Sequence, residues 1–331
     1  MPLALVTGAT GLLGANLIPA LITAGCRVRA VTRQRLHLDR LKTLAKESSC
    51  FEHLEVIEGD IRHSTVRELA VYGVDYLFHA LHSHEYWLPN SVIYDVNVTA
   101  TAALLWALSK TTVTARVIFT SSTSTIGATY SPFDPSSLDT IPRRRFSTLS
   151  KYWAEKQVEL TADRTNLEVA YLHCPYIIGP MDLRPTPLRL VIPAAQYFPL
   201  VVAPPGGGTI VGVEKVVQRH LHAVDDWKPG RREVIRGTNI SYADYFALAN
   251  RLAGRRLRPI KLNAWILKSI AAGSVFDRCF VDYMSSCRYS ETGSLSVGEL
   301  EASMEMTAEW FQTHTPFGGF REFLRYSKRF F

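Results

Sequence analysis

A tyrosine and a lysine four residues apart are the side chains best suited to acid-base chemistry in this sequence. Tyr152 and Lys156 stand in the segment SKYWAEKQVEL, whose pattern is helical, so we expect both side chains on one helix face. An unperturbed phenol, with a pKa of about 10, is a poor acid at neutral pH, and an adjacent ammonium favours the phenolate. The spacing therefore predicts that Tyr152 exchanges a proton with a substrate while Lys156 assists it and holds a cofactor ribose.

A run of hydroxyl side chains supports this interpretation, which needs support because a lone Y-x-x-x-K pattern is common by chance on exposed helices. Residues 120–125 read TSSTST and come at the end of the strand-like run ARVIFT at 115–120. Ligands of open α/β folds bind at the carboxyl edge of the sheet, where such a run ends. A hydroxyl here can orient a substrate carbonyl toward Tyr152, and an ordinary polar turn is the alternative.

Three glycines predict where a dinucleotide binds. Gly8, Gly11 and Gly14 lie in VTGATGLLGANL, between the strand-like run LALVT and a segment with helical periodicity. The first glycine allows a tight turn, the second lets the backbone approach a pyrophosphate, and the third permits close packing of helix on strand. A glycine triplet alone is weak evidence, but the strand before it and the helix after it supply the required context. Their neighbours in the turn are predicted to contact the cofactor as well: Thr10, Leu12 and Leu13.

The end of the second predicted strand, VRAVT, bears on which dinucleotide binds. An aspartate or glutamate at this position would bind the ribose 2′-hydroxyl of NAD, but residues 32–35 read TRQR and contain no carboxylate. Arg33 can instead pair with the 2′-phosphate of NADP. We therefore favour NADP(H) over NAD(H), with an exposed loop arginine as the alternative.

Two residues after the third predicted strand, LEVI, are candidates for contact with the adenine. Asp60 can accept a hydrogen bond from the adenine amino group, and the neighbouring hydrophobe Ile61 can pack on the ring. Asp60 is equally well spaced to cap a helix that starts near Ser64.

The elements that must position these residues are those of a Rossmann-type fold. Short β-rich runs alternate with helical segments up to about residue 180, which predicts a parallel sheet with helices on both faces. Beyond it, proline-rich chain and irregular spacing predict a smaller lobe. We expect an α/β, doubly wound parallel sheet over residues 1–180, followed by a C-terminal, mainly substrate-binding lobe over 181–331 from which some segments return to the Rossmann core.

Taken together, these motifs resemble the extended short-chain dehydrogenase/reductase family, within the NAD-dependent epimerase/dehydratase superfamily. The resemblance covers nearly the whole chain and is carried by TGATGLLG, Gly59-Asp60, Phe78-His79-Ala80, Asn97 in VNVTATAALL, FTSST, Tyr152 with Lys156, and Pro175 with Gly179-Pro180. Within the family, the chain most resembles the dihydroflavonol-4-reductase-like branch, because an arginine follows the second strand in VRAVTR, as it does in NADP-using reductases of that branch.

The resemblance implies further site residues. Counting back from Gly127 in the family's S-x-x-x-x-G pattern selects Ser122 as the catalytic hydroxyl, and Asn97 is implied as a structural or proton-relay residue. Cofactor contacts are implied at Ala80 and Leu81 and around residues 175–178, at Pro175 and Ile178. Two residues depart from the branch's pattern: Leu81 replaces a small residue near the nicotinamide, and His173 replaces a common arginine.

The activity implied is reduction of a ketone or aldehyde, or the reverse oxidation of an alcohol. NADPH would give hydride to the carbonyl carbon of a small organic substrate while Tyr152 protonates the oxygen, assisted by Ser122 and Lys156. One alternative is a nucleotide-sugar epimerase or dehydratase with retained NAD, against which Arg33 argues. Another is a non-catalytic cofactor-sensing or scaffold protein.

Composition limits the remaining classes of function. The 331 residues are 47% hydrophobic with a net charge of +7, but the basic residues are scattered in short groups, so we expect no nucleic-acid partner. Five cysteines without a C-x-x-C pair and a strand at the amino terminus predict a cytoplasmic protein. The apolar stretches at residues 188–203 and 260–275 are interrupted by charged residues, so no integral membrane segment is expected. A homodimer is left open.

Three further features each have a structural and a functional interpretation. His79, His82 and His84 are expected to be structural or substrate-lining residues, and no metal site is predicted. The arginines at 143–145 either bind an anionic substrate or are solvated. The basic, aromatic segment 320–331 either packs on the body or touches a membrane surface.

Overall fold

The computed structural model describes residues 1–33, 51–83, 88–111, 115–125, 143–182, 186–263, 265–266, 287–288 and 295–314. The chain divides into two compact units. The first comprises Met1–Cys174 with Val216–Ile235, and the second comprises Pro175–Lys215 with Arg236–Phe331. The sequence-based boundary at residue 180 therefore lies a few residues beyond the observed division, and Val216–Ile235 is a segment that returns to the first unit.

The strands of both units are, in chain order, β1 (Leu3–Thr7), β2 (Arg27–Thr32), β3 (Leu54–Glu58), β4 (Tyr76–His79), β5 (Arg116–Ser122), β6 (Glu168–Cys174), β7 (Tyr176–Ile178), β8 (Val202–Ala203), β9 (Gly207–Gly212), β10 (Arg232–Val234), β11 (Thr238–Ser241), β12 (Ile260–Lys261) and β13 (Cys287–Arg288). The helices are α1 (Leu12–Thr23), α2 (Ser64–Val71), α3 (Asn90–Tyr94), α4 (Ala100–Ser109), α5 (Arg143–Arg164), α6 (Pro187–Tyr197), α7 (Val213–Asp225), α8 (Tyr242–Leu252) and α9 (Val297–His314). A π-helical turn, Asp95–Thr99, joins α3 to α4.

The first unit is built on a seven-stranded, all-parallel sheet in the order β10-β6-β5-β4-β1-β2-β3. Its central strands are buried almost throughout, as expected for strands covered on both faces. The chain proceeds from β1 outward to β2 and β3, and then returns to the other side of β1 with β4. This reversal places a crevice at the carboxyl ends of β1 and β4, where such sheets bind ligands. The predicted Rossmann-type α/β sheet is confirmed.

The second unit has its own small sheet and core. Strand β9 pairs antiparallel with β11 and parallel with β7 and β13, and β8 and β12 form a separate parallel pair. Helices α6, α8 and α9 bury an apolar cluster that includes Leu190, Tyr245 and Met304. Irregular pairing of short, distant strands explains why the alternation of the first half fades here.

Within the described residues, one helix, Asn90–Ser109, is long and apolar enough to cross a membrane. Half of its most apolar window is buried, and α4 packs against α2 and α5 with Leu104, Leu105 and Leu108 in the core. This is the packing of a core helix. The apolar residues of α4 are explained by this burial in the core of the first unit.

Candidate active site

The turn between β1 and α1 requires glycine at two of its three glycine positions. Gly8 has a φ of +69°, and a Cβ there would lie 2.7 Å from the carbonyl oxygen of Ala80. A Cβ on Gly14 would overlap the carbonyl oxygen of Gly8. Gly11 N donates to Gly8 O at 2.9 Å and closes the turn. The backbone is therefore packed too closely for side chains at Gly8 and Gly14.

The amino terminus of α1 fits a pyrophosphate. Gly11 is its N-cap residue, and no side chain caps the first turn. Leu12 and Leu13 bury their side chains, so their backbone N–H groups are what they offer to a ligand, next to the half-buried Thr10. Unpaired N–H groups and the positive end of the helix dipole favour an anion at this place.

Charged residues gather at the ends of β2 and β3. The Arg62 guanidinium bonds to the Asp60 carboxylate at 2.8 Å and to Asp95 at 3.1 Å. Burial raises the pKa of Asp60, but the hydrogen bonds from Arg62 lower it more, and Arg33 at the end of β2 lowers it further. His63, not Asp60, is the N-cap of α2, so the capping alternative for Asp60 is wrong.

The neighbours expected to line the cofactor are packed to different degrees. Ile61 is buried in the core cluster of the first unit, which leaves little of its side chain for an adenine ring. Ala80 and Leu81 follow β4 and remain half-buried, with Ala80 directly against Gly8. Gly8 and Ala80 thus bring the ends of β1 and β4 together at the crevice.

Tyr152 and Lys156 share a face of α5, as predicted, since the Lys156 ammonium lies 5.5 Å from the centroid of the Tyr152 ring. That face is not the one packed on the sheet. The Lys156 side chain is 47% exposed and pairs with Glu159 at 2.7 Å, which raises the pKa of the lysine. The Lys156 amine is thus directed along the outside of the helix, and its role as the site lysine stays a prediction.

The lysine at the sheet is Lys151, which the sequence analysis did not select. Five residues along a helix rotate a side chain by about 140°, so Lys151 and Lys156 point in different directions. Lys151 is 6% exposed, and its Nζ lies 4.9 Å from the ring centroid of Phe119 on β5. Burial lowers the pKa of Lys151 to about 8. Among the described residues, no hydrogen-bond acceptor contacts this amine.

Ser122 ends β5 and is partly exposed at the carboxyl edge of the sheet. Its Oγ lies 2.9 Å from Ser124 Oγ and accepts from Ser124 N at 3.2 Å, which holds it in a tight polar turn. Cys174 of β6 is opposite Ser122 in the strand register. The hydroxyl selected from the sequence is therefore at the expected edge, and its catalytic role stays a prediction.

A buried carboxylate that the sequence analysis missed ties this edge to α5. Glu155 accepts hydrogen bonds from Ser121, from Thr125 at 3.2 Å and from His173 Nε2 at 3.3 Å, and it pairs with Arg232. Burial raises the pKa of Glu155, but these hydrogen bonds, with His173 first, lower it to about 2. His173, the departure noted above, thus positions the carboxylate that holds the β5 turn.

Asn97 lies in the π-helical turn and is buried. Its Oδ1 accepts from Ser83 N at 2.6 Å, and its Nδ2 donates to Ser83 O at 2.8 Å and to Ser150 Oγ at 3.0 Å. One amide therefore joins the chain after β4 to α5. These contacts join two segments of the chain, and a proton-relay role for Asn97 stays a prediction; π-helical turns of this kind are common at functional sites.

The two described histidines of the His79, His82 and His84 group differ. His79 is enclosed: Nδ1 and Nε2 lie 2.9 Å from the hydroxyls of Thr7 and Thr101, and burial lowers its pKa to about 3. His82 is half-buried, and its Nε2 lies 3.5 Å from Ser147 Oγ. Within the described ranges, no group of three or more His, Cys, Asp or Glu side chains is arranged for a metal ion.

Other predicted features are described only in part. Pro175 and Ile178 belong to the second unit, where Ile178 is buried in the core, and their contacts with a cofactor stay a prediction. Residues 143–145 begin α5, but their side chains lie outside the described residues. So do His84, Gly127 and the segment 320–331.

The signal for Lys151 was present in the sequence. The buried face of α5 consists of residues that recur at helical spacing: Lys151, Ala154, Glu155 and Val158. This periodicity places Lys151, and not Lys156, on the same face as Ala154 and Val158. It therefore predicts which lysine faces the sheet.

The chain is similar to a known protein family and to two named relatives. The profile described as the NAD dependent epimerase/dehydratase family matches residues 4–196. The chain is 26% identical over 341 residues to a putative dihydroflavonol 4-reductase of Synechocystis sp., covering 93% of this chain and 94% of that protein. It is 29% identical over 282 residues to sterol demethylase protein B of Methylococcus capsulatus, covering 81% and 79%.

A solved structure shows the same fold. A mutant UDP-glucuronic acid 4-epimerase of Bacillus cereus, in complex with NAD and UDP-4-deoxy-4-fluoro-glucuronic acid, superposes with a TM-score of 0.70. The superposition covers 94% of this chain and 99% of that one at 15% identity.

Proposed function

Because the chain belongs to the NAD dependent epimerase/dehydratase family, with dihydroflavonol-4-reductase-like relatives as its motifs implied, we propose that it is an NADPH-dependent carbonyl reductase. Family membership already makes it an NAD(P)-dependent oxidoreductase-type enzyme. The proposal concerns the cofactor's phosphate form, the direction of the reaction and the substrate class.

The buried Lys151 amine carries the proposal. A charged group enclosed without a hydrogen-bond acceptor is costly, and the cost is recovered if a ligand supplies the acceptors. Lys151 lies over Phe119 of β5, on the same sheet as the glycine turn that fits a pyrophosphate. A nicotinamide ribose has two adjacent hydroxyls. These can provide the hydrogen-bond acceptors that the Lys151 amine does not find among the described residues.

The residues then have separate tasks. Backbone N–H groups at Leu12 and Leu13 bind the pyrophosphate, and Lys151 holds the ribose. Ser122 orients the substrate carbonyl at the carboxyl edge of β5. A reduced nicotinamide, when bound, supplies a hydride to the carbonyl carbon.

The preference for NADPH rests on Arg33. It is exposed at the end of β2 and lowers the pKa of Asp60 at the end of β3, which supports a position beside the adenosine ribose. We expect Arg33→Ala to weaken NADPH binding by about 10- to 100-fold, the value of one charge-assisted contact, and to change NADH binding little. Fluorescence titration of both cofactors measures this. Arg27→Ala, at the opposite end of β2, is the matched control, and equal losses for NADPH and NADH would contradict the preference.

The substrate class follows from the relatives, whose names refer to a dihydroflavonol and a sterol. We therefore propose a ring ketone on a small, largely apolar molecule. Dihydroquercetin, progesterone and an aryl ketone, each incubated with NADPH, form a suitable panel, with product detected by mass spectrometry. Formation of an alcohol from one of them supports the proposal, and absence of any alcohol despite NADPH binding would overturn it.

Epimerisation or dehydration with retained NAD is the second candidate, favoured by the fold shared with the NAD-bound epimerase. It predicts that the purified protein carries NAD in tight complex. Extraction of NAD from the purified protein at one equivalent would favour this candidate over the reductase.

We also propose that the enzyme acts in the cytoplasm. Cys26 and Cys174 are free, buried thiols, which suits a reducing compartment. A homodimer stays a prediction, and light scattering of the purified protein measures it.

A further inference from the structure

We propose that His82 and Ser147 form the proton-donating pair of this site, in the place first given to Tyr152. The inference rests on the proposed carbonyl reduction and names the group that completes it. Both residues belong to the first unit, and both are half-buried, so that each keeps a surface open to a bound molecule.

Helix geometry points to Ser147. Residues four apart share a helix face, and the residue one turn before Lys151 is a hydroxyl residue, Ser147. Tyr152 is rotated by about 100° from Lys151 and lies under the Lys156 ammonium instead. The sheet-facing side of α5 therefore presents a serine and a lysine where the sequence analysis expected a tyrosine and a lysine.

His82 can replace the proton that the Ser147 hydroxyl gives up. A serine hydroxyl is too weak an acid to protonate an alkoxide unless a second group replaces its proton. His82 Nε2 lies 3.5 Å from Ser147 Oγ, at the outer limit of a hydrogen bond, and such contacts commonly tighten when substrate binds. His79, at the end of β4, is enclosed by Thr7 and Thr101 and has no such access.

The position of His82 is fixed by the Asn97 amide. Asn97 bonds to both backbone groups of Ser83, the next residue, and to Ser150 Oγ. Ser150 Oγ in turn donates to Ser147 O at 3.0 Å. The chain after β4 and the first turns of α5 are thus held together on either side of the His82–Ser147 contact, so Asn97 is a positioning residue for the pair.

As the carbonyl carbon gains a hydride, the electron pair of the C=O π bond moves to oxygen. That oxygen takes the Ser147 Oγ proton, and Ser147 takes the Nε2 proton of the His82 imidazolium. His82 becomes neutral and regains its proton from water, so the reaction consumes one carbonyl, one hydride and one proton for each alcohol formed.

Steady-state kinetics on the panel ketone that the enzyme reduces fastest provide the test. We expect His82→Gln and Ser147→Ala each to lower kcat by about 100-fold, the ordinary contribution of general acid catalysis, with NADPH binding unchanged. The double variant should be no slower than either single one, because the two residues act as a unit. Ser147→Thr, which keeps the hydroxyl, should restore most of kcat. His222→Gln, on the exposed face of α7, is the control that should retain it.

A second readout does not depend on turnover. In protein labelled with ¹⁵N-histidine, the His82 resonance, assigned by its loss in His82→Gln, should shift in Ser147→Ala. An unmoved resonance, full kcat in His82→Gln, or loss of kcat in Tyr152→Phe would each overturn the pair. These outcomes are distinct from failure of the proposed function, in which the unaltered enzyme reduces none of the three ketones.

Discussion

At the scale of single residues, Lys151 is a buried ammonium that opposes folding. Its pKa is about 8 in the folded protein, against 10.5 for the free side chain, so between these values the unfolded chain binds the proton and the folded one releases it. Stability therefore rises as the pH rises from about 8 to about 10.5 and is lowest below this window. A residue kept at such a cost is a candidate for function.

Lys151→Met should separate stability from function. Removing the buried charge should raise the free energy of unfolding at pH 7 by roughly 1–3 kcal/mol and flatten its alkaline rise. The same change should weaken NADPH binding by about tenfold or more, because a charged hydrogen-bond donor to the ribose is lost. Urea unfolding and fluorescence titration measure the two effects.

Lys156→Met is the matched control. It removes the half-exposed pair with Glu159 and the contact with the Tyr152 ring, so the free energy of unfolding should change by less than about 1 kcal/mol, and NADPH binding should be unchanged. If Lys156→Met abolished binding and Lys151→Met did not, Lys156 and not Lys151 would be the lysine that holds the cofactor.

Residue types were easier to predict than their directions. The glycine turn followed from Gly8, Gly11 and Gly14 because a phosphate-binding turn imposes its own local spacing. The lysine did not, because Tyr152 and Lys156 satisfy a spacing rule that says nothing about which helix face meets the sheet. Glu155 was missed since its partners, His173 and Arg232, are distant in sequence and meet it only in the fold.

At the scale of elements, Glu155 links α5 to β5, β6 and β10 through Ser121, His173 and Arg232. Its pKa of about 2 lies below the value of 4.5 for the free side chain. The stability that it contributes is therefore complete above about pH 4.5 and is lost as the pH falls from there toward 2.

Glu155→Gln should lower the free energy of unfolding at pH 7 by about 1–3 kcal/mol, since a charged acceptor of several hydrogen bonds is lost. It should also flatten the loss of stability in acid. Urea unfolding at a series of pH values measures both, with Glu159→Gln, which removes the other carboxylate paired with Arg232, as the control. An acid limb as steep as that of the unaltered protein would show that Glu155 is not its source.

The β1–α1 turn gives a second prediction at this scale. Gly14→Ala should weaken NADPH binding by about tenfold or more, because the new Cβ overlaps Gly8 O and the turn must open. Gly25→Ala is the matched control: its φ of +86° strains an alanine by about 1–2 kcal/mol, but nothing lies within 4 Å of the new Cβ. Equal losses of NADPH binding in the two variants would mean that general destabilisation, not the turn, is responsible.

At the scale of the whole molecule, the first unit was predictable and the second was not. Parallel strands buried on both faces are continuous apolar runs separated by helices, and β1 to β6 follow this pattern along the chain. In the second unit, β7 and β9 pair across more than one intervening element, and β8 and β12 are two residues long. Such pairings depend on distant contacts that leave no local period.

The central claim, that the enzyme turns over NADPH to reduce a carbonyl, is tested most directly by stoichiometry. The purified enzyme should contain no retained NAD, and NADPH consumed should equal alcohol formed when a panel ketone is present in excess. The measurement is absorbance loss of NADPH against product quantified by mass spectrometry in the same sample. Retained NAD at one equivalent, with product formed from a nucleotide sugar without loss of NADPH, would contradict the account.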